Sequence, residues 1–121
     1  MRKFSRAMAA AIDEIKYLKI RSGDHRFTHV WVVVVDGRVC VRSWNAKRSG
    51  WHAAFRNEPR GHIVVNDREI PVRGIPVRSA KLNDAVDRAY PAKYTTEASQ
   101  KYNKGFRSAK RKATTTELIP R

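Results

Sequence analysis

The stretch HVWVVVVDGRVCVRSW, residues 29–44, decides the fold class, because it has the pattern of two strands joined by a tight turn. Residues 27–35 are β-branched and apolar at both parities, which predicts one central strand buried on both faces. Asp-Gly at 36–37 separates this run from a second β-rich run at 38–44, and Asp-Gly in that position is a strong hairpin signal. The stretch therefore predicts a mostly antiparallel sheet.

Further strands and helices are predicted on both sides of this hairpin. Apolar residues recur at helical spacing, with serine as a plausible cap, so helices are expected at 5–15, at 51–57 and after Ser79. Strands are expected at 16–20, 62–65, 68–78 and 114–121. Within the strand at 68–78 the alternation slips at Gly74, which predicts a β-bulge. About six strands with a bulge predict a small, mainly β barrel with helices at its rim.

The length and composition predict one domain, residues 1–121. It begins with an N-terminal helix within 1–16 and carries a basic loop or arm at 95–112. The single cysteine, Cys40, excludes an internal disulfide and fits a reducing compartment. The apolar stretch near the N-terminus is short and runs into Asp13 and Glu14, unlike a signal peptide. We therefore expect a cytoplasmic protein that does not insert into a membrane.

The formal net charge of +15 predicts attraction to polyanions. Cations concentrate in residues 38–62 and in the C-terminal segment, where KYNKGFRSAKRK places Tyr102 and Phe106 between lysines and arginines. Such a mixture is typical of proteins that bind single-stranded nucleic acid. A mobile basic arm without a partner has the same composition, so the two alternatives stay open here.

The sequence contains no recognisable catalytic signature. The histidines share no metal-ligand spacing, and neither a nucleophile elbow nor a P-loop occurs. No metal site and no catalytic residue are predicted. If the protein is an enzyme, a bound cofactor should carry the chemistry while the protein supplies position and charge.

The stretch VRSWNAKRSGWH, residues 41–52, is the strongest candidate for a binding site. Arginine, lysine and serine side chains suit a phosphate group, and Trp44 and Trp51 suit the sides of a planar ring. The alternative is that both tryptophans belong to the core and that the cations lie in a solvated loop. The residues alone do not decide between these two interpretations.

Several segments resemble known proteins. Residues 49–77, SGWHAAFRNEPRGHIVVNDREIPVRGIPV, are similar to the helix and hairpin of deazaflavin-dependent nitroreductases. The segments HVWVVVVDGRVCVRSW, GWHAAFR, EIPVRGIPV, AVDRAYPAKY and TTTELIPR together resemble a bacterial family of unknown function within the FMN-binding split-barrel superfamily, which is the pyridoxamine-phosphate-oxidase-like superfamily. This second resemblance extends from about residue 17 to the C-terminus.

The resemblance implies a six-stranded antiparallel split β-barrel with an N-terminal helix and two further short helices. It also implies a homodimer with FMN at the subunit interface. Carried onto this sequence, it implies a cofactor site formed by Arg42, Ser43, Lys47, Arg48, Ser49, Trp51, His52, His29 and Trp31. Trp44 is expected to form a wall of the same pocket, and Arg73, with Lys47 and Arg48, to stabilise negative charge on a reduced ring.

The chain departs from the deazaflavin enzymes at the turn VDGRV, where their longer Gly-Arg-x-Ser-Gly loop is missing, so FMN is expected rather than a deazaflavin. The first hypothesis is an FMN-binding protein of the oxidoreductase kind. The alternatives are a cofactor-free barrel that binds another anion, and a nucleic-acid-binding module that uses residues 99–112.

Overall fold

The computed structural model describes residues 3–121, and within that range the chain forms one antiparallel sheet with helices packed against it. The strands are β1 (Leu18–Ser22), β2 (Thr28–Val30), β3 (Val32–Val35), β4 (Arg38–Val41), β5 (Arg60–Val65), β6 (Arg68–Pro76) and β7 (Thr116–Pro120). The helices are α1 (Arg6–Asp13), α2 (Trp51–Asn57), α3 (Ala80–Lys93), α4 (Glu97–Gly105) and α5 (Ala109–Lys112). The mainly β barrel with flanking helices is confirmed, although the helices outnumber the three expected.

The two edges of the sheet are two halves of one stretch of chain. The strand order is β2-β1-β5-β6-β7-β4-β3, and only Trp31 separates β2 from β3. The sheet is therefore a nearly closed barrel. The prediction of a single strand over 27–35, and with it of six strands, is wrong, because the chain pairs with β1 before Trp31 and with β4 after it. An apolar run gives no sign of such a change of partner.

Two tight turns set the register of the sheet. The φ angles are 51° at Asp36 and 77° at Gly37, and they are 52° at Asn66 and 64° at Asp67. Positive φ at both central residues is what a two-residue hairpin with the right-handed strand twist requires. The predicted hairpin at 36–37 is confirmed, since β3 and β4 pair directly across it.

Apolar side chains fill the interior of the barrel. Burial alternates along β1 and β5, as expected for strands with one face toward the core. The short helix α2 packs one side into the same interior, through Trp51 and Phe55. The buried members of this cluster are Ile12, Leu18, Ile20, Val30, Val32, Val39, Val41, Trp51, Phe55, Ile63, Val65, Val72 and Leu118.

Gly74 makes room for an aromatic ring and does not bend the strand. The register of β6 with β7 continues without interruption past this residue, and the pairing with β5 runs without a slip up to Arg73, so the predicted bulge is wrong. A Cβ atom at Gly74 would lie 2.7 Å from the ring of Phe55, and one at Gly61 would lie 3.0 Å from the same ring. The apolar alternation changes at Gly74 for a different reason. Ile75 and Val77 lie on the outer face of the sheet, where Val77 packs against a second apolar cluster, described next.

A second apolar cluster forms where α3 and the chain after it cover the outer face of β3 and β4. It contains Val33, Cys40, Leu82, Val86, Tyr90, Tyr94 and Phe106. The expected cap is present, because the Ser79 side chain accepts a hydrogen bond from the Leu82 backbone N–H at 3.2 Å. Burial raises the pKa of the Cys40 thiol to about 12, which keeps it protonated and inert at neutral pH.

Residues 95–112 are not a loop or an arm. Most of this segment is helical, with Thr96 capping α4 and Ser108 capping α5. The helix α4 turns Ser99 and Asn103 inward, and Phe106 at its end is buried in the outer cluster. Two of these three residues are polar, so the segment shows no apolar periodicity.

No helix within residues 3–121 combines the length and the apolar character that crossing a membrane requires.

Candidate functional site

A cavity of about 530 Å³ opens where the edge strand β2, the end of β4 and the helix α4 meet. This volume lies within the range of roughly 300–1,000 Å³ that is usual for small-molecule sites. The residues that line it are Tyr17, Arg26, Thr28, His29, Val30, Trp31, Arg42, Ser43, Trp44, Asn45, Lys47, Gly50, Trp51, Tyr102 and Phe106. The cavity includes seven of the eleven expected site residues.

One wall of the cavity is a cluster of stacked aromatic rings. Trp31 lies flat against Tyr94, with 4.0 Å between ring centroids and 5° between planes. Tyr102 meets the edge of Trp31 at 5.7 Å and that of Trp44 at 4.9 Å, and Phe106 lies 5.4 Å from Trp44. Offset and edge-to-face contacts of this kind hold rings in fixed orientations. The wall is therefore a rigid aromatic surface.

Trp44 is held in place by the chain near α5. The Arg111 guanidinium lies 3.6 Å from the centroid of the Trp44 ring, and its Nε donates to the Trp44 carbonyl oxygen at 2.8 Å. Gly105 leaves space for the same ring, since a Cβ atom there would collide with it. Trp44 is thus a fixed side of the cavity.

The charge of the cavity is positive. Arg26 and Lys47 line it, and none of its lining residues within the described chain is Asp or Glu. Arg26 Nη2 donates to the Ser49 carbonyl oxygen at 3.2 Å, and His25 Nε2 lies 3.0 Å from the same oxygen. These contacts attach the loop at 45–50 to the chain between β1 and β2. The cavity can therefore attract an anion next to its aromatic wall.

The hydrogen-bond donors of the Arg42 side chain are all engaged inside the protein. Its Nε donates to Thr115 Oγ1 at 2.7 Å, its Nη1 to Asp87 Oδ1 at 2.6 Å and to the Phe106 carbonyl oxygen at 3.1 Å. Its Nη2 donates to the carbonyl oxygen and to Oδ1 of Asn83. A guanidinium has five N–H groups, and these contacts occupy all of them. The expectation that Arg42 holds a ligand phosphate is not supported by this geometry.

The buried charge of Arg42 is balanced by Asp87 on α3. Asp87 also accepts from Lys112 Nζ at 2.9 Å. Burial alone would raise the pKa of Asp87, but the hydrogen bonds from Lys112 and Arg42 outweigh it and hold the pKa below its usual value. The three side chains join α3, α5 and the end of β4 into one unit beneath the cavity.

Ser43 shapes the loop at the cavity. Its backbone N–H donates to Thr114 Oγ1 at 2.8 Å, and its Oγ accepts from the Ala46 N–H at 2.9 Å. The second contact supports Ala46 in a left-handed conformation, with φ of 50°. The Ser43 hydroxyl hydrogen is still available as a donor, because Oγ acts here as an acceptor.

The remaining expected residues fall into two groups. Trp51 and His29 line the cavity, although Trp51 is buried in the barrel interior and is mainly a core residue. Arg48, Ser49, His52 and Arg73 are not among the lining residues. Burial, with a smaller contribution from Arg56, lowers the pKa of the half-buried His52. Arg73 is exposed on β6, where its cross-strand neighbours are Arg60 and Ile119.

The other residues that line the cavity were not expected from the sequence: Tyr17, Arg26, Thr28, Val30, Asn45, Gly50, Tyr102 and Phe106. Tyr17 and Tyr102 are large apolar side chains with 51% and 39% exposure, and both lie at the cavity. The sequence predicts a basic loop or arm around Tyr102, and only the helix α4 brings this residue beside Trp31 and Trp44.

The basic segment 99–112 has a mixed outcome. Arg111 and Lys112 are engaged with Trp44 and Asp87, while Lys101, Lys104, Arg107 and Lys110 are exposed. Binding of nucleic acid through this segment stays a prediction.

The fold and the cavity define a small antiparallel β-barrel protein with a basic, aromatic cavity at its edge. A family model described as "Uncharacterized protein conserved in bacteria (DUF2255)" matches residues 7–118, and the chain belongs to that family.

Among solved structures, the crystal structure of a conserved hypothetical protein from Mycobacterium tuberculosis is similar in fold. The TM-score is 0.60 at 16% sequence identity, and the match covers 98% of this chain and 81% of the other. No curated protein matches the sequence.

Proposed function

We propose that the protein binds a flavin mononucleotide, with its isoalloxazine ring in the cavity and its phosphate at the loop 43–47. The observation that carries the proposal is the composition of the cavity: it combines an aromatic wall with Arg26 and Lys47 and is lined by no carboxylate of the described chain. A planar group with an anionic tail needs both features in one site. The resemblance to FMN-binding split barrels supports the same ligand.

The aromatic wall fits the ring system. Trp31 is fixed by its stack on Tyr94, and Trp44 is fixed by Arg111, so neither ring has to be ordered when a ligand binds. A preformed wall reduces the entropy lost on binding. Tyr102, which is exposed at the cavity, can cover a ligand from the solvent side.

The phosphate would be held by side chains other than Arg42. Lys47 supplies a point charge, and Arg26 keeps guanidinium N–H groups beyond those bonded to Ser49 and His25. The Ser43 hydroxyl supplies a short donor at the buried end of the loop. These three side chains all line the cavity.

An oxidoreductase activity would follow from this binding. A bound flavin supplies hydride and electron transfer, which the side chains of the protein do not supply themselves. The contribution of this chain would be electrostatic, because the positive charge of the cavity lining favours negative charge on the bound flavin. Arg73, expected to share this role, lies outside the cavity lining.

The binding can be tested on the purified protein by its visible spectrum and by calorimetric titration with FMN. We expect saturable binding of FMN and weaker binding of riboflavin, which lacks the phosphate. Replacing Lys47 with Ala should weaken FMN by about tenfold and riboflavin much less, because a charged hydrogen bond is lost.

Arg48→Ala is the matched control, since it removes the neighbouring cation, which does not line the cavity. It should change the affinity by less than about twofold. A colourless protein without measurable FMN affinity would overturn the proposal, and it would favour the cofactor-free barrel that binds another anion. Equal effects of the two variants would also contradict the assigned phosphate position.

A homodimer with the cofactor at the interface stays a prediction from the resemblance. The partner would have to approach the open side of the cavity, where Tyr17 and Tyr102 are exposed. Sedimentation with and without FMN measures whether such an assembly forms.

A further inference from the structure

The outer face of the half-barrel formed by β2, β1, β5 and β6 carries a row of basic side chains. Residues that pair across strands point to the same side of a sheet, and the pairs here are Lys19 with His29, Arg21 with His62, and Arg60 with Arg73. The residues between them, such as Leu18, Ile20 and Ile63, point into the barrel. We name this surface the basic sheet face; its members are Lys19, Arg21, His29, Arg60, His62, Arg73 and the adjacent Phe27.

The basic sheet face is exposed and short of acids. Arg60 and Arg73 are exposed, and Lys19 and Arg21 are half-buried. Glu69 on the same face lies 3.6 Å from Arg21, a distance too long for a strong hydrogen bond. Glu58 pairs with Arg60 at 2.9 Å at the end of the strand.

Two cations of this face remain free. Within residues 3–121, neither Lys19 nor Arg73 forms an ion pair with a carboxylate. The face is therefore left with net positive charge.

Planar rings lie among these cations. Phe27 is half-buried, with Lys19 Nζ 4.9 Å and the Arg21 guanidinium 4.6 Å from its centroid. His29 and His62 add two further rings on the same face. Proteins that bind single-stranded nucleic acid use this combination, in which cations contact the backbone while rings and guanidinium planes stack on unpaired bases.

A second copy of the chain is a poor partner for this face. A two-fold symmetric contact places the same patch against itself, so the unpaired cations of one copy would meet those of the other. Like charges that are brought together in this way oppose association. A polyanion gains from the same charges, because it releases counterions when it binds.

We propose that the basic sheet face binds single-stranded nucleic acid. The strand β5, with six residues, is about 20 Å long, and the four strands together are about 15 Å wide. A face of this size matches the smaller sites of barrel proteins, about four nucleotides. The site is separate from the flavin proposal, since it shares only His29 with the cavity.

The test measures the binding of a fluorescein-labelled polyuridylate of about 15 nucleotides by anisotropy over a series of salt concentrations. The double variant Lys19→Ala/Arg73→Ala should lower the affinity about tenfold or more. It should also reduce the slope of log K against log salt by about 1.4, because two phosphate contacts are lost at roughly 0.7 each. Thermal melting checks that the variant is folded.

Lys101→Ala/Lys104→Ala is the matched control, since it removes two exposed lysines from α4 and leaves the sheet unchanged. Its affinity should stay within about twofold of the parent. Equal losses in the two double variants would mean that net charge alone is measured, and a larger loss in the α4 variant would place the site there. Either result overturns the proposal.

The stacking of unpaired bases on Phe27 is tested separately with Phe27→Leu, a substitution that changes no charge. We expect a loss of about fivefold or more with an unchanged salt slope, because stacking does not release counterions. A duplex of the same length should bind more weakly than the single strand, since its bases are not free to stack. Tighter binding of the duplex, or full affinity in the leucine variant, contradicts recognition of unpaired bases.

Discussion

Arg42 and Arg73 lie on different halves of the barrel and differ in almost every physical respect. Arg42 is 1% exposed, and its guanidinium is enclosed by residues of α3, the end of α4 and the strand segment before β7. Arg73 is exposed on a face where its cross-strand neighbour is another arginine. The covered half of the sheet, β3 and β4 beneath α3, thus uses arginine to join elements of the fold. The open half, formed by β2, β1, β5 and β6, leaves Arg73 exposed.

This difference shows that the net charge of +15 combines two kinds of cation, those paired with carboxylates inside the fold and those exposed on the surface. On the covered half, Arg38 and Arg42 each bind a carboxylate with short hydrogen bonds, to Glu117 and Asp87. Both charges are neutralised by a carboxylate, and that of Arg42 is also enclosed by the protein. The charge that stays exposed is the remainder, part of which lies at the cavity, on α4 and on the basic sheet face.

The largest effect should come from removing the acidic partner on the covered half. Asp87→Ala leaves the buried Arg42 without its counterion, so we expect the free energy of unfolding to fall by about 3–5 kcal/mol. Asp84→Ala removes an exposed carboxylate of the same helix and should change it by less than about 0.5 kcal/mol. Urea unfolding measures both, and similar losses would show that Arg42 does not depend on Asp87.

A smaller loss of stability is expected when the packing inside the open half of the barrel is disturbed. Gly74→Ala places a methyl group against the Phe55 ring, which should destabilise the protein by about 1–3 kcal/mol. Adding Phe55→Leu to that variant should cost less than it does in the parent, because the two changes relieve each other. Additive losses in this double-mutant cycle would contradict the inference that Gly74 leaves space for the Phe55 ring.

Acid should weaken the covered half selectively. The folded-state pKa of Asp87 lies below its ordinary value of 3.8, so its ionised form is the one that stabilises the fold. This stability is complete above the ordinary value and is lost as the pH falls through the folded-state pKa. Stability measured from about pH 5 to about pH 2 should decline less steeply in Asp87→Asn than in the parent. Identical slopes would assign the acid sensitivity to other carboxylates.

The smallest effect is expected at the open face. Arg73→Ala should change the free energy of unfolding by less than about 0.5 kcal/mol, because Arg73 is exposed and forms no ion pair with any residue of the described range 3–121. The same urea titration checks it. A loss as large as that of Asp87→Ala would remove the distinction between the two halves.

The features of this structure that depend on residues close together in the chain could be predicted from the sequence. The turn at Asp36–Gly37, the helix α2 at 51–57 and the cap at Ser79 depend on neighbours within a few residues, and all were predicted. The break at Trp31 was not predicted, because it depends on two strands that pair with either side of that residue.

The candidate site shows the same contrast between neighbouring and distant residues. Trp44, Ser43 and Lys47 are adjacent in sequence and do meet at the cavity. The engagement of Arg42 could not be read from its neighbours, because its acceptors come from residues more than 40 positions away. The helix α4 was missed since its buried face includes Ser99 and Asn103, which carry no apolar signal.

The positions of the tryptophans have an optical consequence. The chain contains three, and each of them lines the cavity. Indole emission from this protein therefore arises wholly at the candidate site, without background from tryptophans elsewhere. Trp31 on its tyrosine stack, Trp44 beneath a guanidinium and Trp51 in the core have different surroundings, so a ligand should quench them unequally. The protein thus carries a built-in fluorescent reporter for occupation of its own cavity.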